Sequence, residues 1–327
     1  MKGMKKGITA LLFAGCILAS GCNSLIQTDN SLIESKKVQI TFQQKGETAI
    51  VVEVNKGEKI PSLPTVVQMD GSTVTEWNIA DDFVAESNVT ITAISYTKGL
   101  EFDKYEYRNQ VYYEVDNYTG SYMEVDVPAY YKGLPVGRVG TEAFLDNYTI
   151  TKINLPEGMH AIKDRAFRNC KNMESFTIPS TVTELGSYVF YDMKKVTELE
   201  LPMGLTAIPD KAFQGLSITE LVIPEGVTSI GMHALTISTL KTIVWPKSLV
   251  SVHGQAIWYP QQVIENIYYM GDEADWELLE ISDDSYRDIN ARDQLSKITV
   301  WFYSEEEPQF RGNYWHYVDG EPTAWVI

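Results

Sequence analysis

The chain has 327 residues, of which 44% are hydrophobic and 22% are charged, and its formal net charge is −17 at pH 7. An acidic chain without a basic stripe repels nucleic acid and anionic polymers, so nucleic-acid binding is excluded. Three cysteines are too few for a disulfide framework. The length is nevertheless sufficient to bury a core that holds the fold without cross-links.

The N-terminal segment has the pattern of an export signal. Three lysines within the first six residues precede an apolar run, Ile8–Ala19, and small residues lead up to Cys22. This order predicts a signal peptide over residues 1–21. The apolar run is too short to span a bilayer of roughly 30 Å as a helix. Removal of the three lysines brings the charge of the mature chain to about −20.

The residues around Cys22 resemble the lipobox of bacterial lipoproteins, in which the cysteine receives a diacylglycerol and becomes the first mature residue. The match departs from the usual pattern because Leu18 stands four positions before the cysteine. A second possible box at residues 13–16 would leave a very short apolar run, and ordinary cleavage after Gly21 without lipidation is the alternative. The resemblance implies lipidation at Cys22, and two or three acyl chains anchor a protein firmly.

Residues 22–37 are polar and aperiodic, which is typical of a tether between a membrane and a folded body. Acylation of Cys22 would leave Cys170 without a partner, so neither a disulfide nor a CxxC metal pair is expected. Cys170 is therefore predicted to be a small buried hydrophobic residue.

Prolines recur at a nearly constant period in the middle of the chain. Their spacings are 23, 23, 22 and 22 residues, at Pro156, Pro179, Pro202, Pro224 and Pro246. Apolar residues recur in register one and three residues before each proline, and three, six and eleven residues after it. The last column begins one period earlier and consists of Phe144, Phe167, Phe190, Phe213, Leu235 and Ile257.

A unit of this size cannot bury its apolar side alone, so neighbouring units are predicted to stack into a solenoid with one core. Polar and apolar residues alternate before each proline, as in Glu198-Leu199-Glu200-Leu201, which predicts a strand. Such strands stack about 4.8 Å apart in a parallel sheet. Proline ends each strand because it donates no hydrogen bond to the next one.

The repeat resembles the BspA-type leucine-rich repeats of bacterial surface proteins, whose units follow approximately L-x-x-I-x-I-P-x-x-V-x-x-I-G-x-x-A-F. Residues 174–190 (ESFTIPSTVTELGSYVF) and 219–235 (TELVIPEGVTSIGMHAL) match this pattern closely. The match covers about residues 134–270 and departs at Leu235 and Ile257, where the phenylalanine is lost. The resemblance implies a β-rich α/β solenoid and a surface location, but no particular ligand. The solenoid is expected over residues 138–270.

Residues 38–96 lack the repeat and contain three β-rich runs. A strand is followed by the pattern V-N-K-G-x-x-I-x-x-P, then by W-N and then by V-T-I-T-A. This order resembles the internalin B-repeat module, a small β-grasp-like domain. The usual glycine pair after the first strand is absent. In that family the module acts as a spacer and sometimes as a weak contact surface.

The two ends of the solenoid are expected to be capped, because exposed apolar ladders need a polar cover. Tyrosine-rich alternation predicts a β-hairpin cap over residues 97–137. Residues 271–327 are predicted to form a C-terminal cap and tail. This part is expected to contain a partly helical acidic stretch, strands at 298–303 and 314–318, and a turn at Asp319-Gly320.

No pattern indicates catalysis, a metal or a cofactor. His160, His233 and His253 occupy different positions in their repeats, and the motifs HExxH, CxxC and GxSxG are absent from the sequence. The acidic residues 272–284 lack the glycine and the terminal glutamate of an EF-hand. Carboxylates on a flat, open face exclude no water and therefore do not form a glycosidase pair. The chain is predicted not to be an enzyme.

The outward positions of the predicted sheet lie two and four residues before each proline. Along the stack they change from polar through acidic to apolar, which suits a protein or glycan partner. The alternative is that they only keep the face soluble. Trp258 and Tyr259 belong either to a platform for sugar rings or to the core of the C-terminal cap. The predicted binding face consists of Lys152, Asn154, Ser175, Thr177, Glu198, Glu200, Glu220, Val222, Thr242 and Val244.

The order of anchor, tether, small module and repeats predicts a monomeric lipoprotein that is held outside the cytoplasm at the cell surface. Its expected partner is an extracellular protein or polysaccharide. The alternative is a structural envelope protein that contacts the cell's own wall or surface partners.

Overall fold

The fold is taken from a computed structural model that describes residues 36–257, 264–282, 295, 297–309 and 312–325. The predicted signal peptide, Cys22, nearly all of the tether, Trp258 and Tyr259 lie outside these residues. Lys37–Ile327 forms one compact unit. Among the described residues, no helix has the length and apolar character needed to cross a membrane.

A four-stranded mixed sheet forms the N-terminal module. Its order is β2-β1-β4-β3, with β1 (Lys37–Gln43), β2 (Ile50–Asn55), β3 (Thr73–Trp77) and β4 (Val89–Thr97). β1 and β4 are parallel, and the other two pairs are antiparallel. The module has its own small core, in which the rings of Phe42 and Trp77 lie 5.0 Å apart. The segment between β3 and β4 contains no helix, and the β-grasp-like interpretation stays a prediction.

A long antiparallel hairpin leads from this module into the repeats. Five strands make up the region: β5 (Leu100–Tyr107), β6 (Gln110–Tyr118), β7 (Glu124–Asp126), β8 (Tyr130–Tyr131) and β9 (Leu134–Val139). β6 pairs with β9 in parallel, and β9 pairs with a strand of the first repeat. The hairpin therefore continues a repeat sheet and covers its first rung.

The repeats form parallel strands both before and after the prolines, rather than only in the single predicted sheet. The ladder before the prolines contains β10 (Lys152–Asn154), β14 (Glu220–Val222) and β16 (Thr242–Trp245). The ladder after the prolines contains β11 (Ala161–Ile162), β12 (Glu184–Leu185), β13 (Ala207–Ile208), β15 (Ser229–Ile230) and β17 (Ser251–Val252). Parallel strands thus organise the β-rich body of the chain.

Both ladders are interrupted near the middle of the stack. The predicted strand at Glu198-Leu199-Glu200-Leu201 is wrong, since residues 196–202 are irregular and both leucines are only half-buried. Glu198 would stand on the rung next to Glu220, and like charges on neighbouring strands disfavour pairing. The second ladder also stops at β12 and resumes at β13.

A third series of backbone hydrogen bonds, along the phenylalanine column, crosses this interruption. Phe167 N donates to Val189 O at 3.0 Å, and Phe190 N donates to Ala212 O at 3.0 Å. The rings of Phe144, Phe167, Phe190 and Phe213 stack in parallel, with centroids 5.0, 6.0 and 6.1 Å apart. All four rings are buried, so the column is the continuous centre of the core.

The C-terminal segment extends both ladders. β18 (Asn266–Tyr269), β20 (Thr299–Tyr303), β21 (Tyr314–Val318) and β22 (Glu321–Ala324) continue the sheet that contains β14 and β16. The other ladder gains β19 (Glu280–Ile281), preceded by the short helix α1 (Glu273–Leu278). Asp272 caps α1 by accepting a hydrogen bond from Asp275 N, and Asp275 forms an ion pair with Lys247 at 2.8 Å. Part of the acidic stretch thus has a local structural role.

Cys170 lies fully buried in the core, where its Sγ donates to Phe144 O at 3.1 Å. Burial raises the pKa of its thiol to about 12, and the thiolate is the reactive form. In a chain carrying Cys16→Ser and Cys22→Ser, we expect a disulfide reagent to modify Cys170 about a hundredfold more slowly in buffer than in urea. Absorbance of the released chromophore measures both rates, and equal rates would contradict the buried position.

Candidate binding face

The structure places eight of the ten side chains of the predicted binding face in exposed positions. Thr242 is half-buried, and Val244 is only 3% exposed, so the expectation that Val244 is open to solvent is wrong. Backbone pairing holds the last two repeat rungs in register, with Glu220 beside Thr242 and Val222 beside Val244. Earlier rungs are joined here only by the bridge between Lys152 and Ser175, because residues 196–202 form no strand.

Val244 is covered because the sheet does not end with the repeats. In register along the sheet, Val222 is followed by Val244, then Tyr268 on β18, then Trp301 on β20. Side chains on one face of adjacent strands stand side by side, so Val222 and Tyr268 flank Val244. Val222 itself is 55% exposed. The apolar end of the face is therefore larger than the repeats alone predict.

Five aromatic residues continue the same face, and we call them the aromatic extension: Tyr268, Trp301, Tyr303, Trp315 and Tyr317. The centroid of the Trp315 ring lies 5.3 Å from that of Tyr268, 5.3 Å from that of Tyr303 and 4.9 Å from that of Tyr317. Trp315 is completely buried, whereas Tyr317 is 41% exposed. A buried tryptophan thus anchors a ring of accessible aromatic side chains.

Hydrogen bonds fix both indoles. Trp301 Nε1 donates to Asn266 Oδ1 at 2.8 Å, and Trp315 Nε1 donates to the carbonyl oxygen of Tyr269 at 3.0 Å. Partial burial and the nearby carboxylate of Glu220 raise the pKa of Tyr268. Its phenol therefore stays protonated and available as a hydrogen-bond donor. The extension joins fixed apolar surface to polar groups, which is typical of binding hot spots.

Sequence reasoning predicted the strands at 298–303 and 314–318 but not their contribution to the face. The signal was present, because aromatic residues stand two positions apart at 301 and 303 and again at 315 and 317. Period-two alternation assigns them to one side of a strand. Only the pairing of β18 with β16 shows that this side is the side of the predicted binding face.

The histidines lie apart. His160 lies under the β5–β6 hairpin, its ring 4.0 Å from that of Tyr107. Burial, and then the charge of Arg138, lower the pKa of His160. His316 packs on Trp325 at 3.8 Å, while His233 and His253 stay near the repeat surface in separate coils. Within the part of the chain that the structure describes, no three metal-ligating side chains form a group that could hold an ion.

Comparison with known proteins identifies the repeats. Residues 137–263 match the family described as BspA type leucine rich repeat region, in six copies. The repeats are similar to those of the BspA type. No curated protein matches the chain.

Three solved structures of bacterial leucine-rich-repeat proteins are similar to parts of the chain. A T. pallidum leucine-rich repeat protein has 21% identity and a TM-score of 0.48, over 52% of this chain and 79% of that one. A leucine rich cell surface protein of Faecalibacterium prausnitzii has 22% identity and a TM-score of 0.41, over 50% and 52%. A leucine-rich repeat protein of Bacteroides ovatus has 15% identity and a TM-score of 0.30, over 63% and 70%.

Proposed function

We propose that the chain is a cell-surface lipoprotein, anchored through Cys22, that binds an extracellular protein or glycan through the predicted binding face and its aromatic extension. The export pattern and the BspA-type repeats support this role. We further propose that it acts as a monomer outside the cytoplasm, without a cofactor, catalytic activity or nucleic-acid partner.

The observation that carries the proposal is the graded composition of one side of the repeats and of the C-terminal strands that follow them. Exposed Glu198, Glu200 and Glu220 occupy its middle, and the aromatic extension follows on the rungs beyond Val244. From the first rung at Lys152 to Trp301 the stack spans roughly 30 Å at about 4.8 Å per rung. Carboxylates beside half-buried aromatic rings supply both specificity and buried area to a partner.

The acidic middle of the face provides the test. The full chain with Cys22→Ser is applied to an array of glycans and matrix proteins, with and without the double change Glu198→Lys and Glu220→Lys. We expect the double variant to lose at least about tenfold in affinity, since charge reversal places like charges against the partner. Plate-based titration of each positive spot gives the affinities.

A matched control separates the face from the overall charge. Glu47→Lys with Glu106→Lys makes the same change in net charge at two exposed positions in the module and the hairpin. We expect this variant to bind like the wild type. Equal losses of affinity in both variants would show that only the net charge of the protein matters. Unchanged affinity of the face variant would place the site elsewhere. No binding on the array, together with co-purification of envelope proteins, would favour the structural role.

A further inference from the structure

An open groove lies beside β3 in the N-terminal module, and the turn between β8 and β9 contributes Lys132 to its lining; we call it the β3 groove. Its volume is about 580 Å³, within the range of small-molecule pockets. Glu76 and Trp77 of β3 form its base, and Lys132 belongs to its rim. The apolar wall residues include Ile60, Leu63, Pro64, Val66, Ile79 and Phe83.

Polar contacts hold the walls of the β3 groove in place. Trp77 Nε1 donates to the carbonyl oxygen of Pro64 at 2.7 Å. The side chain of Gln68 bonds both the N–H and the C=O of Thr75, at 3.0 and 2.8 Å, which closes the free edge of β3 against another strand. Leu63 nevertheless remains 48% exposed at the wall. The groove is therefore formed before any ligand arrives, and it retains apolar surface for one.

Glu76 places a carboxylate among these apolar walls. It is half-buried, and its carboxylate accepts a hydrogen bond from the hydroxyl of Tyr96 at 3.2 Å. Glu76 forms no ion pair with any residue that the structure describes, and Lys132, which also lines the groove, forms its ion pair with Asp81 at 3.0 Å. Burial raises the pKa of Glu76. The hydrogen bond from Tyr96 and the charge of Lys132 lower this pKa but do not outweigh burial, so the desolvation of the negative charge is only partly offset.

We propose that the β3 groove binds an organic ammonium or guanidinium ion with an apolar body, whose cation meets Glu76 and whose body covers Leu63. The remaining charged groups of the groove, Lys59 and the Lys132–Asp81 pair, lie at its rim. A free amine and a basic side chain of a partner peptide supply the same chemistry. This site is separate from the predicted binding face, and its failure would leave that proposal unaffected.

The test compares a cation with its neutral analogue. Phenethylammonium and N-acetylphenethylamine share the aromatic body and differ in charge, and calorimetry with the full chain carrying Cys22→Ser measures both affinities. We expect the cation to bind at least about tenfold more tightly, which corresponds to about 1.4 kcal/mol. Equal affinities for the two probes, or no binding of either, would overturn the proposal.

Substitution then assigns the preference to one carboxylate. Glu76→Gln still accepts the hydrogen bond from Tyr96 but carries no charge, so we expect it to remove the preference for the cation. Glu47→Gln, an exposed change in the same module, is expected to keep it. Leu63→Ala is expected to lower the affinities for both probes by a similar factor. Circular dichroism verifies that this variant is folded. A cation preference that survives Glu76→Gln would contradict the assignment.

The two sources are distinguished by a third probe, acetyl-Leu-Lys-Leu-amide. Tighter binding of this peptide than of phenethylammonium, again abolished by Glu76→Gln, would support a protein partner. Tighter binding of the free amine, with the same dependence on Glu76, would support a small-molecule ligand. Either result supports a cation site.

Discussion

Replacing Phe190 by alanine is expected to lower the free energy of unfolding by about 3–5 kcal/mol. The ring is 1% exposed and stacks between Phe167 and Phe213, with Phe176 at 4.7 Å on its flank. It also lies where both strand ladders are interrupted, so the phenylalanine column joins the two halves of the stack there. A cavity at this position removes contacts that no strand pairing replaces.

Urea unfolding followed by circular dichroism measures this loss. Phe190→Leu is expected to cost about 1.5 kcal/mol or less, because Leu235 already occupies the same column and is fully buried. Tyr148→Ala, at a side chain 52% exposed, is expected to change stability by about 0.5 kcal/mol or less. If Phe190→Ala lowered the free energy of unfolding as little as Tyr148→Ala, the phenylalanine column would not be what stabilises the stacked repeats.

The repeat architecture was accessible from the sequence because burial recurs with the same period as the prolines. In the column that runs from Phe144 to Ile257, the four phenylalanines and Leu235 are fully or almost fully buried, while Ile257 is half-buried. The half-burial of Ile257 fits the fading edge that its departure from the pattern indicates. Periodic apolar residues report a local requirement, namely that each coil buries the same positions against its neighbours.

The second ladder could not be found in this way. Its strands are mostly two residues long, as in Ala161–Ile162 and Ser229–Ile230, and a pair of residues shows no alternation. A left-handed backbone conformation recurs in the repeats at Arg165, Tyr188 and Lys211. The sequence does not indicate it, because none of these residues is a glycine. Their N–H groups donate to the following repeat, which offsets the cost of about 1–2 kcal/mol for this conformation.

The candidate site was predicted only in part for a related reason. Exposure of Glu198 and Glu220 follows from their places in one repeat, whereas the burial of Val244 depends on Tyr268, in a strand that carries no repeat signature. Such a contact is set by the register of β18 against β16. Residue pattern alone gives the face of each strand, but not which strand comes next to it.

Replacing Gly186 by alanine is expected to destabilise the stack by about 1–3 kcal/mol. A Cβ there would lie 2.2 Å from Asp164 N and 2.4 Å from Lys163 C, and neither backbone atom moves without shifting the preceding coil. Gly186 does not have a positive φ, so the loss arises from overpacking rather than from backbone strain. Thermal unfolding of the two chains measures it.

Gly71→Ala is the matched control, since Gly71 also lacks a positive φ and a Cβ there meets no atom within 4 Å. We expect it to change stability by about 0.5 kcal/mol or less. Equal melting temperatures for Gly186→Ala and Gly71→Ala would contradict the close approach of the coils.

The origin of the tight contact at Gly186 lies in the preceding coil. Asp164 Oδ1 accepts a hydrogen bond from Ser187 N at 2.8 Å, and Asp210 Oδ1 accepts one from Met232 N at 2.7 Å, beside Gly231. In both cases the residue that donates to the aspartate comes directly after the glycine of its coil. Because the clash at Gly186 involves the backbone of Asp164, Asp164→Ala is not expected to rescue Gly186→Ala. The double variant is therefore expected to be no more stable than Gly186→Ala alone, whereas rescue would show that the carboxylate causes the crowding.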